Sequence, residues 1–208
     1  MAQEMLSDMN WDLWIFQGGL PPNYTDFTTV ALNESKQIAN DYVSLAGDKS
    51  PDNYTDYNNY TSNLRVVFLE ELLSPDNFDK VDEKIITKID TDLNITMAED
   101  PEVRQRWFPL GIKKNYTAVM EPAKTFVQSM GRWKYVKPIY KALLDSGNKD
   151  MAIEWFQEKQ DFYHPYVVEQ LKRLIGIEGD IIEPKQPALV KRWDEKFLQD
   201  GPKSRFIN

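Results

Sequence analysis

A helical apolar stripe that starts afresh again and again is the feature that most limits what this chain can fold into. Leu64, Val67, Phe68 and Leu72 stand at i, i+3, i+4 and i+8, and Phe78, Val81, Ile85, Ile89 and Leu93 form a longer stripe of the same kind. That spacing puts side chains on one face of a 3.6-residue helix. Val119, Ala123, Phe126, Val127 and Met130 continue it, followed by Val136, Ile139, Tyr140, Leu143 and Leu144, then by Val167, Leu171, Leu174 and Ile175. No convincing strand alternation and no Asn-Gly hairpin turn competes with this pattern. The spacing predicts an all-α chain of roughly eight or nine helices joined by short loops. Such helices pack as a bundle or stack as a solenoid, and the irregular intervals give no strict repeat.

Punctuation accompanies the stripes. "SPDN" occurs at Ser50 and at Ser74, and "EDPEV" places Asp100 before Pro101. Each offers a capping oxygen followed by proline at a first helical position, so each predicts a helix start. Residues 47–63 are polar and turn-rich, which predicts a loop with at most one short helix. From Ile177 the segment "EGDIIEPKQP" interrupts any helix before a last weak stripe of Leu189, Val190, Trp193 and Phe197. The expected division is a helical domain over 1–176 and a linker with a terminal helix over 177–208.

A chain of 208 residues with 41% hydrophobic residues can bury a sizeable core. It has no cysteine, which removes disulfides, thiolate nucleophiles and cysteine-ligated zinc. No apolar run reaches the roughly 18 residues that cross a bilayer, and "MAQEMLSDMN" has neither a basic start nor an apolar stretch. The expectation is a soluble, cytoplasmic chain with no membrane partner. A formal net charge of −8 disfavours a nucleic-acid partner, which needs a basic face.

The one histidine, His164, cannot build an H-E-x-x-H zinc site, which needs two imidazoles one helical turn apart. Followed by Pro165, it reads as a structural residue at a helix start rather than a member of a Ser-His-Asp device. Neither common glycine-rich nucleotide cradle is present. Asn23, Asn33, Asn53, Asn59, Asn94 and Asn115 head N-x-[ST] triplets, and turn or cap formation is the favoured reading of them.

One segment stands out against the acidic background. "GRWKYVKPIYKALL" holds Arg132, Lys134, Lys137 and Lys141. Gly131 follows one stripe and Pro138 falls near the start of the next, which places Arg132 and Lys134 in or beside an interhelical turn. Cations there oppose the helix dipole, and together with free backbone N–H groups they suit an anion. Lys137 and Lys141, one turn apart, read as a solvated face, and Trp133 and Tyr135 as core anchors.

Four segments, "NWDLWIFQGGLPP", "PEVRQRWFPLGI", "GRWKYVKPIYKALL" and "FYHPYVVEQLKRLIG", occur in this order and at spacings that resemble the C-terminal domain of leukotriene A4 hydrolase and related zinc aminopeptidases. The resemblance covers about residues 10–176. It implies a HEAT-like or armadillo-like α–α superhelix at the end of a longer polypeptide, whose separate catalytic domain holds the zinc and is this domain's partner. It also implies that Arg132 and Lys134 grip the C-terminal carboxylate of a peptide substrate. Alone, the chain is expected to fold and to be inactive. Two rivals are a free-standing helical module that binds acidic peptides through the same patch and, more weakly, a nucleic-acid binder.

Overall fold

The computed structural model describes residues 11–16, 18 and 28–177. Among them are nine α-helices and no strand. The helices are α1 (Trp11–Phe16), α2 (Val30–Ser44), α3 (Ser62–Leu72), α4 (Glu83–Leu93), α5 (Pro101–Lys113), α6 (Met120–Ser129), α7 (Trp133–Asp145), α8 (Lys149–Lys159) and α9 (Pro165–Ile175). Short 3-10 turns occupy Tyr54–Asn59, Ile95–Met97, Thr117–Val119 and Gln160–Phe162. Asn23 and the expected terminal helix around Trp193 lie outside the described residues. No described helix is long and apolar enough to cross a membrane.

Caps set the helix boundaries. Thr29 Oγ1 accepts from Leu32 N at 3.2 Å ahead of α2, and Asp82 Oδ1 accepts from Ile85 N at 2.9 Å ahead of α4. Asp100 Oδ1 accepts from Glu102 N at 2.8 Å, with Pro101 opening α5 as expected. Left-handed residues close two helices: Asn94 (φ 50) ends α4 and Gly176 (φ 74) ends α9. These are positions where asparagine and glycine pay least for a positive φ.

The "SPDN" signals behave differently from expectation, since neither starts an α-helix. After Ser74 the chain makes successive turns closed by Phe78 N to Ser74 O (2.8 Å) and Val81 N to Asn77 O (3.1 Å), and α4 waits for the Asp82 cap. Phe78 and Val81 still pack on the core, but from a turn rather than from the helix. After Ser50 only the 3-10 turn forms, in keeping with a mostly irregular stretch at 47–63.

Neighbour relations among the helices describe a two-layer superhelix. In one layer α3 packs on α5, α5 on α7, and α7 on α9; the other contains the α2–α4 and α6–α8 pairs, while α2–α3, α5–α6, α7–α8 and α8–α9 join the layers. Contacts between each helix and the next but one are the stacking of an α–α solenoid. Side-chain contacts fix the direction of the first layer. Ser62 at the start of α3 donates to Asp100 at the start of α5, and Glu102 of α5 accepts from Lys134 of α7. Phe162, just ahead of α9, lies 3.6 Å from the position of a Cβ on Gly131, just ahead of α7. The four helices α3, α5, α7 and α9 are therefore parallel, with their N-termini along one edge.

The core between the layers contains fully buried Phe68, Leu69, Ile86, Ile89, Trp107, Phe126, Val136, Ile139 and Leu171. Two buried polar clusters there are paired, as burial demands, whereas the Tyr57 and Tyr60 hydroxyls are buried without a partner. Trp107 Nε1 donates to Thr96 Oγ1 at 2.9 Å, and Asp90 accepts from Thr96 N, Thr96 Oγ1 and Tyr116 OH at 2.7–2.8 Å. Tyr163 OH donates to Val127 O at 2.6 Å, which ties the approach to α9 onto α6.

Candidate functional site

The edge formed by the parallel N-termini carries the basic segment. Arg132 is the N-cap residue of α7, in extended conformation (φ −85, ψ 126), and its side chain makes no capping bond. Its carbonyl accepts from Tyr135 N and Val136 N at 2.9 and 3.2 Å, which starts the helix there. Pro138 consequently lies in the second turn of α7 rather than at its first position. The first turn of α7 contains no acidic residue. A helix start with two cations and no side-chain cap is electrostatically suited to an anion from elsewhere.

Arg132 and Lys134 are exposed and share one aromatic ring. Arg132 Cζ lies 5.6 Å and Lys134 Nζ 5.4 Å from the ring centroid of half-buried Tyr135. Both separations are within the range of cation–π attraction. The two cations differ in their partners. Lys134 Nζ is 2.5 Å from Glu102 Oε1, whereas Arg132 forms no ion pair with any described carboxylate.

Glu102 is the centre of a network that spacing did not reveal. Its Oε1 accepts from Lys134 and, at 3.0 Å, from Tyr135 OH; its Oε2 accepts from Arg106 Nη1 at 3.2 Å and from Gln105 Nε2. Arg106 in turn pairs with Glu70 of α3 at 2.7 Å. The Lys134 ammonium foremost, opposed by desolvation and joined by Tyr135 and Arg106, pulls the Glu102 carboxyl down to about 2. Glu102 therefore stays ionised at any ordinary pH. The i, i+4 spacing of Glu102 and Arg106 was a local clue, but the meeting with Lys134 depends on α5 packing against α7.

The remaining candidates occupy ordinary structural positions. Lys141 pairs with Asp145 at 2.9 Å, and Lys137 Nζ lies 5.7 Å from the Trp133 ring; both lysines are exposed. Trp133 and Tyr135 are partly buried against the core. His164 caps α9, its Nδ1 accepting from Tyr166 N at 3.2 Å. Asn94 and Asn115 take positive φ values of 50 and 59, the turn-forming role expected of them.

The sequence profile described as "Leukotriene A4 hydrolase, C-terminal" matches residues 60–175, more than half of the chain. The chain belongs to this leukotriene A4 hydrolase C-terminal family. Curated relatives of the domain include "Leucine aminopeptidase 2" of Ajellomyces capsulatus, 33% identical over 79% of this chain and 26% of the relative. The protein of the same name from Aspergillus clavatus is 30% identical over the same shares, and that from Coccidioides immitis is 27% identical over 84% of this chain and 28% of the relative. The chain thus spans about a quarter of the length of the curated relatives it matches. The profile match includes the whole network of the leukotriene A4 hydrolase C-terminal domain described above, from Glu70 through Glu102 to Arg132 and Lys134.

Proposed function

We propose that this chain is the C-terminal helical part of an aminopeptidase, that it caps the active-site cleft of a catalytic domain in the same polypeptide, and that Arg132 and Lys134 hold the substrate's C-terminal carboxylate. The observation that carries this reading is the guanidinium of Arg132 at the start of α7, in no ion pair among the described residues and beside Lys134 on the same tyrosine ring. A guanidinium presents a planar fork that matches a carboxylate, and an ammonium adds a compact second charge. The first-turn N–H groups of α7, with no side-chain cap and no acidic neighbour in that turn, favour the same ligand.

The described residues do not fit a catalytic zinc. No group of three or more histidine, cysteine, aspartate or glutamate side chains converges among them, and His164 uses Nδ1 to cap α9. In this proposal the metal and the peptide chemistry belong to the catalytic domain. What this chain contributes is the placing of the peptide's far end, which converts binding energy into orientation of the scissile bond.

The test uses the full-length parent and one short peptide, as free acid and as C-terminal amide. A hydrogen bond to a charged group contributes about 1.5–3 kcal/mol, so Arg132→Ala should lower kcat/KM for the acid about 10- to 100-fold and leave the amide nearly unchanged. Equal losses on both peptides, or none on either, would overturn the reading. The 208-residue chain by itself should fold, bind no zinc and turn over no peptide. Stoichiometric zinc accompanied by turnover would place the catalytic parts here after all.

A further inference from the structure

Glu102 is too heavily invested to be ordinary surface charge. An ionised carboxylate offers about four acceptor sites, and four donors occupy them: Lys134, Tyr135, Arg106 and Gln105. It therefore has no capacity left to receive a substrate ammonium or to take a proton from a reacting group. Its whole hydrogen-bonding capacity goes into holding neighbours. Two of these, Lys134 and Tyr135, frame the place where Arg132 projects, and a third, Arg106, is anchored to Glu70 on the neighbouring helix α3.

We propose that Glu102 is a positioning residue for carboxylate recognition: it fixes Lys134 and Tyr135 so that an incoming carboxylate meets Lys134 already set beside Arg132. This rests on the reading that Arg132 and Lys134 hold a carboxylate. A free lysine on its four-carbon stem would have to be immobilised at each binding event, and Glu102 does this in advance. The ammonium has three donors; one is spent on Glu102, and two remain for a ligand. Tyr135 keeps the spacing, since its hydroxyl is tied to Glu102 and its ring faces both cations.

The charges leave the place attractive to an anion in spite of Glu102. The network joins Arg106 and Lys134 to Glu70 and Glu102, two cations to two carboxylates. Arg132 beside it, in no ion pair among the described residues, is the surplus positive charge. The two cations thus divide the work. Arg132 supplies the uncompensated charge, and Lys134 supplies a donor in a preset place.

The experiment compares Glu102→Gln, Lys134→Met and the double variant in the full-length parent, on the free-acid and amidated peptides. Glutamine keeps the shape but weakens the hold on Lys134. Expected for Glu102→Gln is a KM for the acid raised about 3- to 10-fold, the range that immobilising one long side chain implies. Its kcat, and the amide peptide's kinetics, should stay within about two-fold of the parent. In the Lys134→Met background the Glu102→Gln change should have no further effect, because Glu102 acts through Lys134. A merely structural residue would lower both peptides alike and would add to Lys134→Met.

Those last two results would each overturn the proposal, as would an unchanged KM. A lowered KM would also overturn it, showing that Glu102 competes with the substrate for Lys134. Arg132→Ala separates the two levels of the reading. If it selectively damages acid turnover while Glu102→Gln does not, only the positioning role fails; if it shows no selectivity, carboxylate recognition itself fails.

Discussion

Gly111→Ala tests how tightly the helix that carries Glu102 is seated. Gly111 lies in the last turn of α5, where glycine costs at most the helix-interior value of about 0.5–1 kcal/mol relative to alanine. On propensity alone the substitution would stabilise. A Cβ on residue 111, however, would stand 2.8 Å from both Cγ1 and Cγ2 of Val119, well inside the usual contact distance of about 3.5–4.0 Å. Val119 has little room to yield. It is fully buried, ends the 3-10 turn Thr117–Val119, and follows Tyr116, whose N–H bonds Gly111 O at 2.9 Å and whose hydroxyl bonds Asp90 at 2.8 Å. Overpacking costs about 1–3 kcal/mol and, with two methyls inside 3.0 Å, falls here at about 2–3 kcal/mol, so after a propensity gain of up to about 1 kcal/mol the net loss should still be about 1–2 kcal/mol. For a chain of this size that lowers Tm by about 2–8 °C. The assay is thermal and urea unfolding of Gly111→Ala, Val119→Ala and the double variant. Removing the Val119 methyls should abolish the penalty, so the glycine change becomes neutral or slightly stabilising in that background. Gly111→Ala as stable as the parent, or equally costly in both backgrounds, would refute the steric reasoning.

Two further outcomes follow from buried and charged contacts. Thr96→Val leaves fully buried Trp107 Nε1 without its acceptor and should cost about 1–3 kcal/mol, read as a lower urea midpoint; an unchanged midpoint would contradict the pairing. Glu102 lends acid-sensitive stability: its folded pKa is lowered from 4.5 to about 2, so the contribution is complete above about pH 5 and lost as pH falls from about 4.5 toward 2. Because the side chain is partly exposed, screening holds this to about 1 kcal/mol. The stability difference between the parent and Glu102→Gln should shrink across that window, and a difference that grows on acidification would show the sign to be wrong.

Local periodicity carried most of the fold and little of the site. The stripes of Ile85, Ile89 and Leu93, or of Val136, Ile139, Tyr140 and Leu143, are buried faces of α4 and α7, because the spacing that defines a helix face is the spacing that buries it. Boundaries were less legible where two signals competed. Ser74–Pro75 looks like a helix start, but Asp82 makes a real capping bond eight residues later and the intervening turns are satisfied without a helix. Arg132 and Lys134 stood out as charge in an acidic chain and through family resemblance. Glu102 did not, since its role depends on a contact with a residue 32 positions away, and only the packing of α5 on α7 creates it.

That packing explains why the cations sit where they do. Stacking each helix on the next but one makes α3, α5, α7 and α9 parallel, so their dipoles point the same way and their positive ends line one edge. Left uncompensated, such an edge would be costly to decorate with more positive charge. The fold answers unevenly. Asp100 caps α5 and Glu102 sits in its first turn, while α7 receives no acidic residue in its first turn and no side-chain cap. Compensation for α7 instead reaches across from α5, through Glu102, and stops at Lys134. Arg132, one step nearer the helix end, pairs with no carboxylate among the described residues, which is the asymmetry that the proposed carboxylate site uses.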